Sequence, residues 1–162
     1  MSETVRSRAL ELLNYDPLTG ILTWRNSRGH LKAGSVAGAK QSNGYIRIQV
    51  DRDFHAAHRL IWLMIHGDWP SDDLDHINGQ RADNRIANLR MATRSENLAN
   101  TKVRSDSETG VKGVRIKRGK FAARIRIDGK ETFLGTFETI EAASAAYAVA
   151  AHENFGAFAR VA

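Results

Sequence analysis

Cysteine is absent from this 162-residue chain, which excludes disulfides and any zinc site built on thiolates. Long apolar runs are missing too: no stretch approaches the roughly 20 residues needed to span a bilayer, so no membrane partner is expected. The opening MSETVRSRALELL lacks the apolar centre of a signal peptide, and a soluble, cytoplasmic protein is the resulting expectation. Acidic side chains are scarce in one place. Residues 111–130 hold Lys112, Arg115, Lys117, Arg118, Lys120, Arg124, Arg126 and Lys130 against Asp128 alone, a local charge of +7 in a chain whose formal net charge is +6. The rest is close to neutral. At 42% hydrophobic the composition is that of an ordinary soluble fold, and the length suits two small domains.

What is present is concentrated in LDHINGQRADNRIANLR, Leu74 to Arg90, and in TRSENLAN up to Asn100. An acid and a histidine stand side by side at 75 and 76, and asparagines return at 88 and 97. Asp75-His76 reads as the end of a short strand, Asn78-Gly79 opens a turn, and Thr93-Arg94-Ser95-Glu96 fits the capping box that starts a helix. Asn97 then falls in the first turns of that helix.

These residue types suit one chemistry. Phosphodiester hydrolysis requires a deprotonated water, a neutraliser for charge growing on phosphate, and help for the departing 3′ oxygen. Asp75 offers a hard anionic oxygen and Asn97 an amide oxygen, both suited to magnesium. His76, with an ordinary pKa of about 6.5, can take the proton of a water near neutral pH. An asparagine such as Asn88 can bond backbone groups on both sides of the loop and hold His76 in aim. Asn84 and Arg85 either close the loop or, for Arg85 and Arg90, touch phosphate. Taken alone, Asp-His-Ile-Asn-Gly is an ordinary strand end and turn; the constellation is what points to a nuclease.

The stretch resembles the HNH endonuclease family, particularly its phage and homing members. The resemblance implies a ββα-metal (His-Me finger) domain, with His76 as general base, Asp75 and Asn97 as metal ligands and Asn88 as the asparagine that fixes the loop. It also implies a divalent ion, magnesium before manganese, and double-stranded DNA as substrate. The cysteine zinc knuckle of several such nucleases cannot form here. His58 opens a His-Arg-Leu segment that precedes the motif in such proteins and supports the site from behind. His55 and His58 are spaced as a His-x-x-His pair, but a strand-to-helix transition between them need not let them converge.

Elsewhere the pattern predicts a helix over residues 2–13 with Leu10 and Leu13 plus Val5 or Ala9 on one face, a turn and strand over 15–25, a strand at 45–50 paired with 54–57, and a core helix at 58–66 ended by Gly67 and Pro70. Residues 101–110 are polar and without periodicity, which marks a linker. Three strands near 111–118, 121–127 and 131–137 follow, joined through Arg118-Gly119 and Asp128-Gly129, then a helix capped by Thr139. The basic side chains alternate with apolar ones, so they line one face of a sheet. The pieces GVR, AARI, LGTF and AASAAY between Gly110 and Gly156 resemble the plant ethylene-response-factor (APETALA-like) DNA-binding domain. In that family the sheet enters the major groove, and Arg115, Lys117, Arg126 and Phe133 stand at matching positions; Arg124, also basic on this face, stands where plant members usually carry an acid.

The expected fold class is therefore α+β: a ββα-metal nuclease domain over 1–103, a linker over 104–110, and a small three-stranded antiparallel sheet packed on one helix over 111–162. The expected function is a metal-dependent DNA endonuclease of phage or mobile-element type, acting as a monomer or a DNA-induced dimer. A non-catalytic DNA-binding regulator with a vestigial site is the alternative; an RNA-binding module fits a basic sheet with few aromatics poorly.

Overall fold

The computed structural model describes residues 2–161. Helix and strand each account for 31% of the chain, a mixed class, and the chain packs as two compact units, Met1–Met91 and Ala92–Ala162. Among the described residues no helix is long and apolar enough to cross a membrane.

The first unit opens with α1 (Ser2–Leu12), which runs directly into a hairpin of β1 (Leu13–Asp16) and β2 (Ile21–Trp24), with Leu13 opposite Trp24 and Tyr15 opposite Leu22. Its turn is locked from within: the Asp16 carboxylate accepts from the Leu18 N–H at 2.9 Å and the Thr19 hydroxyl at 2.7 Å, and Gly20 closes it at φ +74°. A second sheet holds β3 (Ala39–Lys40), β4 (Ile46–Val50) and β5 (Asp53–Ala56) in that order. β5 leads into α2 (Ala57–His66), which stops where Gly67 takes the left-handed conformation at φ +92° and returns its N–H to the Leu63 carbonyl. β6 (Asp73–His76) and β7 (Leu89–Ala92) form a two-stranded sheet around the loop between them, which includes a 3-10 turn at Ile86–Asn88.

The core of this unit is Leu13, Ile48, Leu60, Ile61 and Leu63, all fully buried, each contributing about 1.5–3 kcal/mol by leaving water. The face of α1 differs from the sequence expectation: Ala9 and Leu12 are buried while Leu10 is exposed. The helix ends at Leu12, so Leu13 enters the core as the first residue of a strand.

The second unit begins with α3 (Arg94–Ala99), started by a complete capping box in which Thr93 Oγ1 accepts from the Glu96 N–H and the Glu96 carboxylate accepts from the Thr93 N–H. The Lys112 ammonium closes its far end, donating to the carbonyls of Ala99, Thr101 (2.8 Å) and Leu98 (3.4 Å). β8 (Val114–Lys117), β9 (Lys120–Ile127) and β10 (Lys130–Phe137) form an antiparallel sheet with β9 in the centre. Both hairpins turn on two residues with positive φ, Arg118 and Gly119 then Asp128 and Gly129, the geometry that matches strand twist. α4 (Ile140–Phe155), capped by Thr139, lies on the sheet through Ala143, Tyr147, Ala150, Ala151 and Phe155. Ala99 of α3 belongs to the same core as Ile125 and Tyr147.

Gly113 is where this core tolerates no side chain. It sits at φ +72°, and a Cβ there would lie 2.1 Å from the Tyr147 ring and 2.6 Å from the Arg124 carbonyl oxygen. Gly113→Ala should therefore destabilise the chain by about 3 kcal/mol, combining overpacking with a strained backbone. Urea unfolding would show this as a lower midpoint, and an unchanged midpoint would contradict the packing described.

Candidate active site

The site in the first unit is built on the end of β6. Asp75 and His76 are each only 4% exposed, although neighbours on a strand ordinarily alternate between faces. The loop after His76 curls back immediately, with the Gly79 N–H on the His76 carbonyl at 2.7 Å and the Ile77 N–H on the Asn88 carbonyl at 2.9 Å.

Three side chains close that loop upon itself. Asn88 accepts from the Asn78 N–H at 3.0 Å and donates through Nδ2 to Asn78 Oδ1 (3.1 Å) and to the Asp83 carbonyl (2.8 Å). Asn78 Nδ2 donates to the Asp83 carboxylate at 2.7 Å. Arg85 grips the same carboxylate from outside, with Nε at 2.8 Å from Oδ1. That bond, chiefly, holds the Asp83 carboxyl down at about 2, so Asp83 stays ionised through the neutral range. Asn88 thus ties the two sides of the loop together. The side chain bonded to the His76 ring is Asn84, 2% exposed, whose Oδ1 lies 3.1 Å from Nε2.

Asp75 meets Arg90 of β7, whose Nε and Nη2 approach Oδ2 at 2.9 and 2.8 Å. A buried carboxylate needs such a partner, so Arg90 has a structural duty, as Arg85 does at Asp83. Both arginines are therefore engaged, Arg85 half exposed on the loop and Arg90 mostly covered on β7. His58, at the start of α2, packs its ring 5.2 Å from His76 and 5.1 Å from Tyr45, which itself lies 5.8 Å from His76. Burial, then the neighbouring His76, pushes His58 down to about 4. Burial also lowers His76, opposed by its bond to Asn84 and by the Asp75 carboxylate. His55 points elsewhere, stacked on Trp69 at 5.6 Å. Asn97 lies on α3, in the second unit.

In the second unit, the outer face of the sheet carries exposed Arg115 and Lys117 on β8, Arg126 on β9 and Phe133 on β10. Arg124 shares that face but pairs with Glu131 and stands 5.9 Å over the Phe133 ring. Lys120 pairs with Glu138, and Lys112 is spent on α3. Sequence reading missed Tyr15, Gly20, Tyr45, Asn78 and Asp83 as parts of the site; Asn78 and Asp83 lay within the motif, whereas nothing in the local pattern marked the others.

With this geometry in place, the comparisons with known proteins fall on the same residues. Residues 55–99 match the HNH endonuclease family. The matched stretch runs from β5 through α3 and includes Asp75, His76, Asn84, Asn88 and Asn97. A protein of Acanthamoeba polyphaga mimivirus, named an uncharacterized HNH endonuclease, is 36% identical over 105 residues, covering 63% of this chain and 54% of the relative. The chain therefore spans about half the length of the curated relative it matches. Both matches make this segment similar to HNH endonucleases.

The buried His58 has a measurable consequence. Its folded pKa of about 4 lies below the unfolded value of about 6.5, so the unfolded chain alone binds that proton between the two. Stability should fall as pH drops from 6.5 toward 4, by an order of 3 kcal/mol from His58. His58→Phe, which keeps an aromatic ring against Tyr45, should lose much of that slope in unfolding midpoints taken at pH 7, 5.5 and 4.5. An equally steep slope in the variant would mean that His58 is not buried in its neutral form.

Proposed function

We propose that the chain is a metal-dependent endonuclease of double-stranded DNA of the ββα-metal type, with its catalytic centre at the end of β6 and the β6–β7 loop. The observation that carries the reading is His76, buried at a strand end beside Asp75 and held through Nε2 inside the stretch that matches the HNH family. His76 takes the proton of the attacking water as its oxygen bonds to phosphorus; the P–O3′ bond breaks, and the 3′ oxygen takes up a proton to leave as hydroxyl. Asn88 keeps the loop closed, Asn84 keeps the ring in place, and His58 excludes water behind it.

Among the described residues no three His, Asp or Glu side chains cluster as a metal cage. A magnesium-type ion does not require one, because it keeps waters and takes phosphate oxygens alongside one or two carboxylates. Asp75, the buried carboxylate of β6, fits that donor role, and Asn97 is its assigned companion from the sequence motif. Such an ion, magnesium or manganese, would supply neutralisation of charge on the phosphate. His76→Ala should lower plasmid nicking by about 10² to 10⁴-fold with DNA binding retained. Asp75→Ala and Asn97→Ala should weaken cleavage, added metal rescuing the asparagine variant alone. Nicking by the parent that survives a chelator would overturn the metal assignment, and an inactive parent under every divalent ion would favour the regulator reading.

The second part of the reading is that the sheet of the second unit docks on duplex DNA, as its resemblance to the ethylene-response-factor domain suggests. Its support is the exposed set Arg115, Lys117, Arg118, Arg126 and Lys130, left after Lys112, Lys120 and Arg124 are committed to internal partners. Since each phosphate contact contributes about −0.9 to the slope of log affinity against log salt, four or five contacts give roughly −4. Removing the C-terminal unit would also remove α3 and Asn97, so point variants in the full chain are the cleaner test. Arg115→Ala with Arg126→Ala should flatten the slope by about 2; a slope equal to the parent's would reduce this face to solvated surface. A phage or mobile-element setting and action as a monomer or DNA-induced dimer complete the proposal.

A further inference from the structure

The N-terminal hairpin touches the loop that carries Asn84, at a distance of 69 positions in sequence. The Tyr15 hydroxyl donates to the Asn84 carbonyl at 3.0 Å and accepts from the Ile86 N–H at 2.8 Å, so one oxygen spans the peptide groups on both sides of Arg85. Gly20, at the end of the same hairpin turn, lies against this segment backbone to backbone. A Cβ there would fall 2.4 Å from the Arg85 nitrogen and 2.6 Å from the Asn84 carbonyl carbon, at a φ of +74°. The turn cannot yield easily, because Asp16 binds Leu18 and Thr19 through its side chain and Gly20 through its carbonyl at 2.8 Å. Tyr15 is itself anchored, packed against the core that contains Leu13 and Leu22.

We propose that this hairpin is the mount of the catalytic histidine: Tyr15 and Gly20 fix Asn84, and Asn84 selects the His76 tautomer that carries its proton on Nε2. The inference rests on the reading of His76 as the general base. An amide oxygen can only accept, so Oδ1 at 3.1 Å from Nε2 favours a proton on that nitrogen and leaves the lone pair on Nδ1. A base presenting the wrong nitrogen loses most of its activity however well it is placed. Asn84 is therefore a positioning residue, and Tyr15 acts through it. Loops carry functional groups accurately only when a rigid element holds them; here β1 and β2 are that element.

Measurement of the His76 tautomer tests this assignment. In the full chain labelled with nitrogen-15 histidine at pH 8, two-bond proton–nitrogen spectra distinguish the neutral tautomers, and His76→Gln identifies the signal. The parent should show the Nε2–H form. Asn84→Ala and Tyr15→Phe should both show a mixture, with nicking kcat lowered about 10 to 100-fold, a share of what a general base supplies, and KM for duplex DNA unchanged. Asn84→Asp, which keeps an acceptor, should restore the Nε2–H form and most of the rate. An Nδ1–H signal in the parent, or a parental tautomer in Asn84→Ala and Tyr15→Phe, would overturn the proposal. The spectra report the tautomer whether or not the protein cuts DNA, so a parent that fails to nick tests the nuclease reading separately.

Discussion

Everything at the candidate site depends on keeping one short loop closed in a single conformation. The loop between β6 and β7 carries the neighbours of His76, and its backbone has few of the ladder bonds that rigidify a sheet. Side-chain amides replace them: Asn88 and Asn78 bond each other and the loop backbone, and Asn78 reaches Asp83. Asparagine suits this duty because its amide offers donors and acceptors at once. A buried polar network of this kind is worth having only when its members are satisfied, since an unmet group in low dielectric is costly. The ion pairs Asp83–Arg85 and Asp75–Arg90 extend the same logic to the two carboxylates.

The strand end and the helix of the matched segment are held by different cores. β6 and its loop belong to the first unit, whereas α3 contributes Ala99 to the core formed by Ile125, Tyr147, Ala151 and Phe155. At six residues α3 is too short to be stable alone, and its capping box and the Lys112 ammonium at its C-terminal carbonyls supply what length does not. Ser95 further accepts from the Asp128 N–H at 3.1 Å. Lys112 thus belongs to helix packing rather than to the basic face, and counting charges along the chain overstates how many cations that face presents.

Local signals were legible wherever a single element decides them. The capping box at Thr93, the two-residue turns at Arg118-Gly119 and Asp128-Gly129, the stop at Gly67 and the alternation of β9 follow from short-range backbone chemistry, and each stands where the pattern places it. The face of α1 was less legible, because Leu10 and Leu13 read as one helical stripe until the chain changes to strand at Leu13. The role of Asn84 was legible only in part. Its place in the loop suggested support, but the pattern offers both Asn84 and Asn88 to His76, and a spacing argument does not say which side chain faces the ring.

The sequence by itself determined the inventory: an acid, a histidine and returning asparagines in a chain without cysteine, followed by a basic strand pattern and an alanine-rich helix. Those are properties of residue type and short spacing, and they survive any rearrangement of the elements. Only the tertiary structure decided which arginines and lysines are committed to internal partners, that Asn84 rather than Asn88 meets the His76 ring, and that Gly20 and Tyr15, the latter 69 positions before Asn84, brace the loop. A hydrogen bond across such a separation leaves no periodicity in the chain, because its geometry exists only once the loop has folded onto the hairpin.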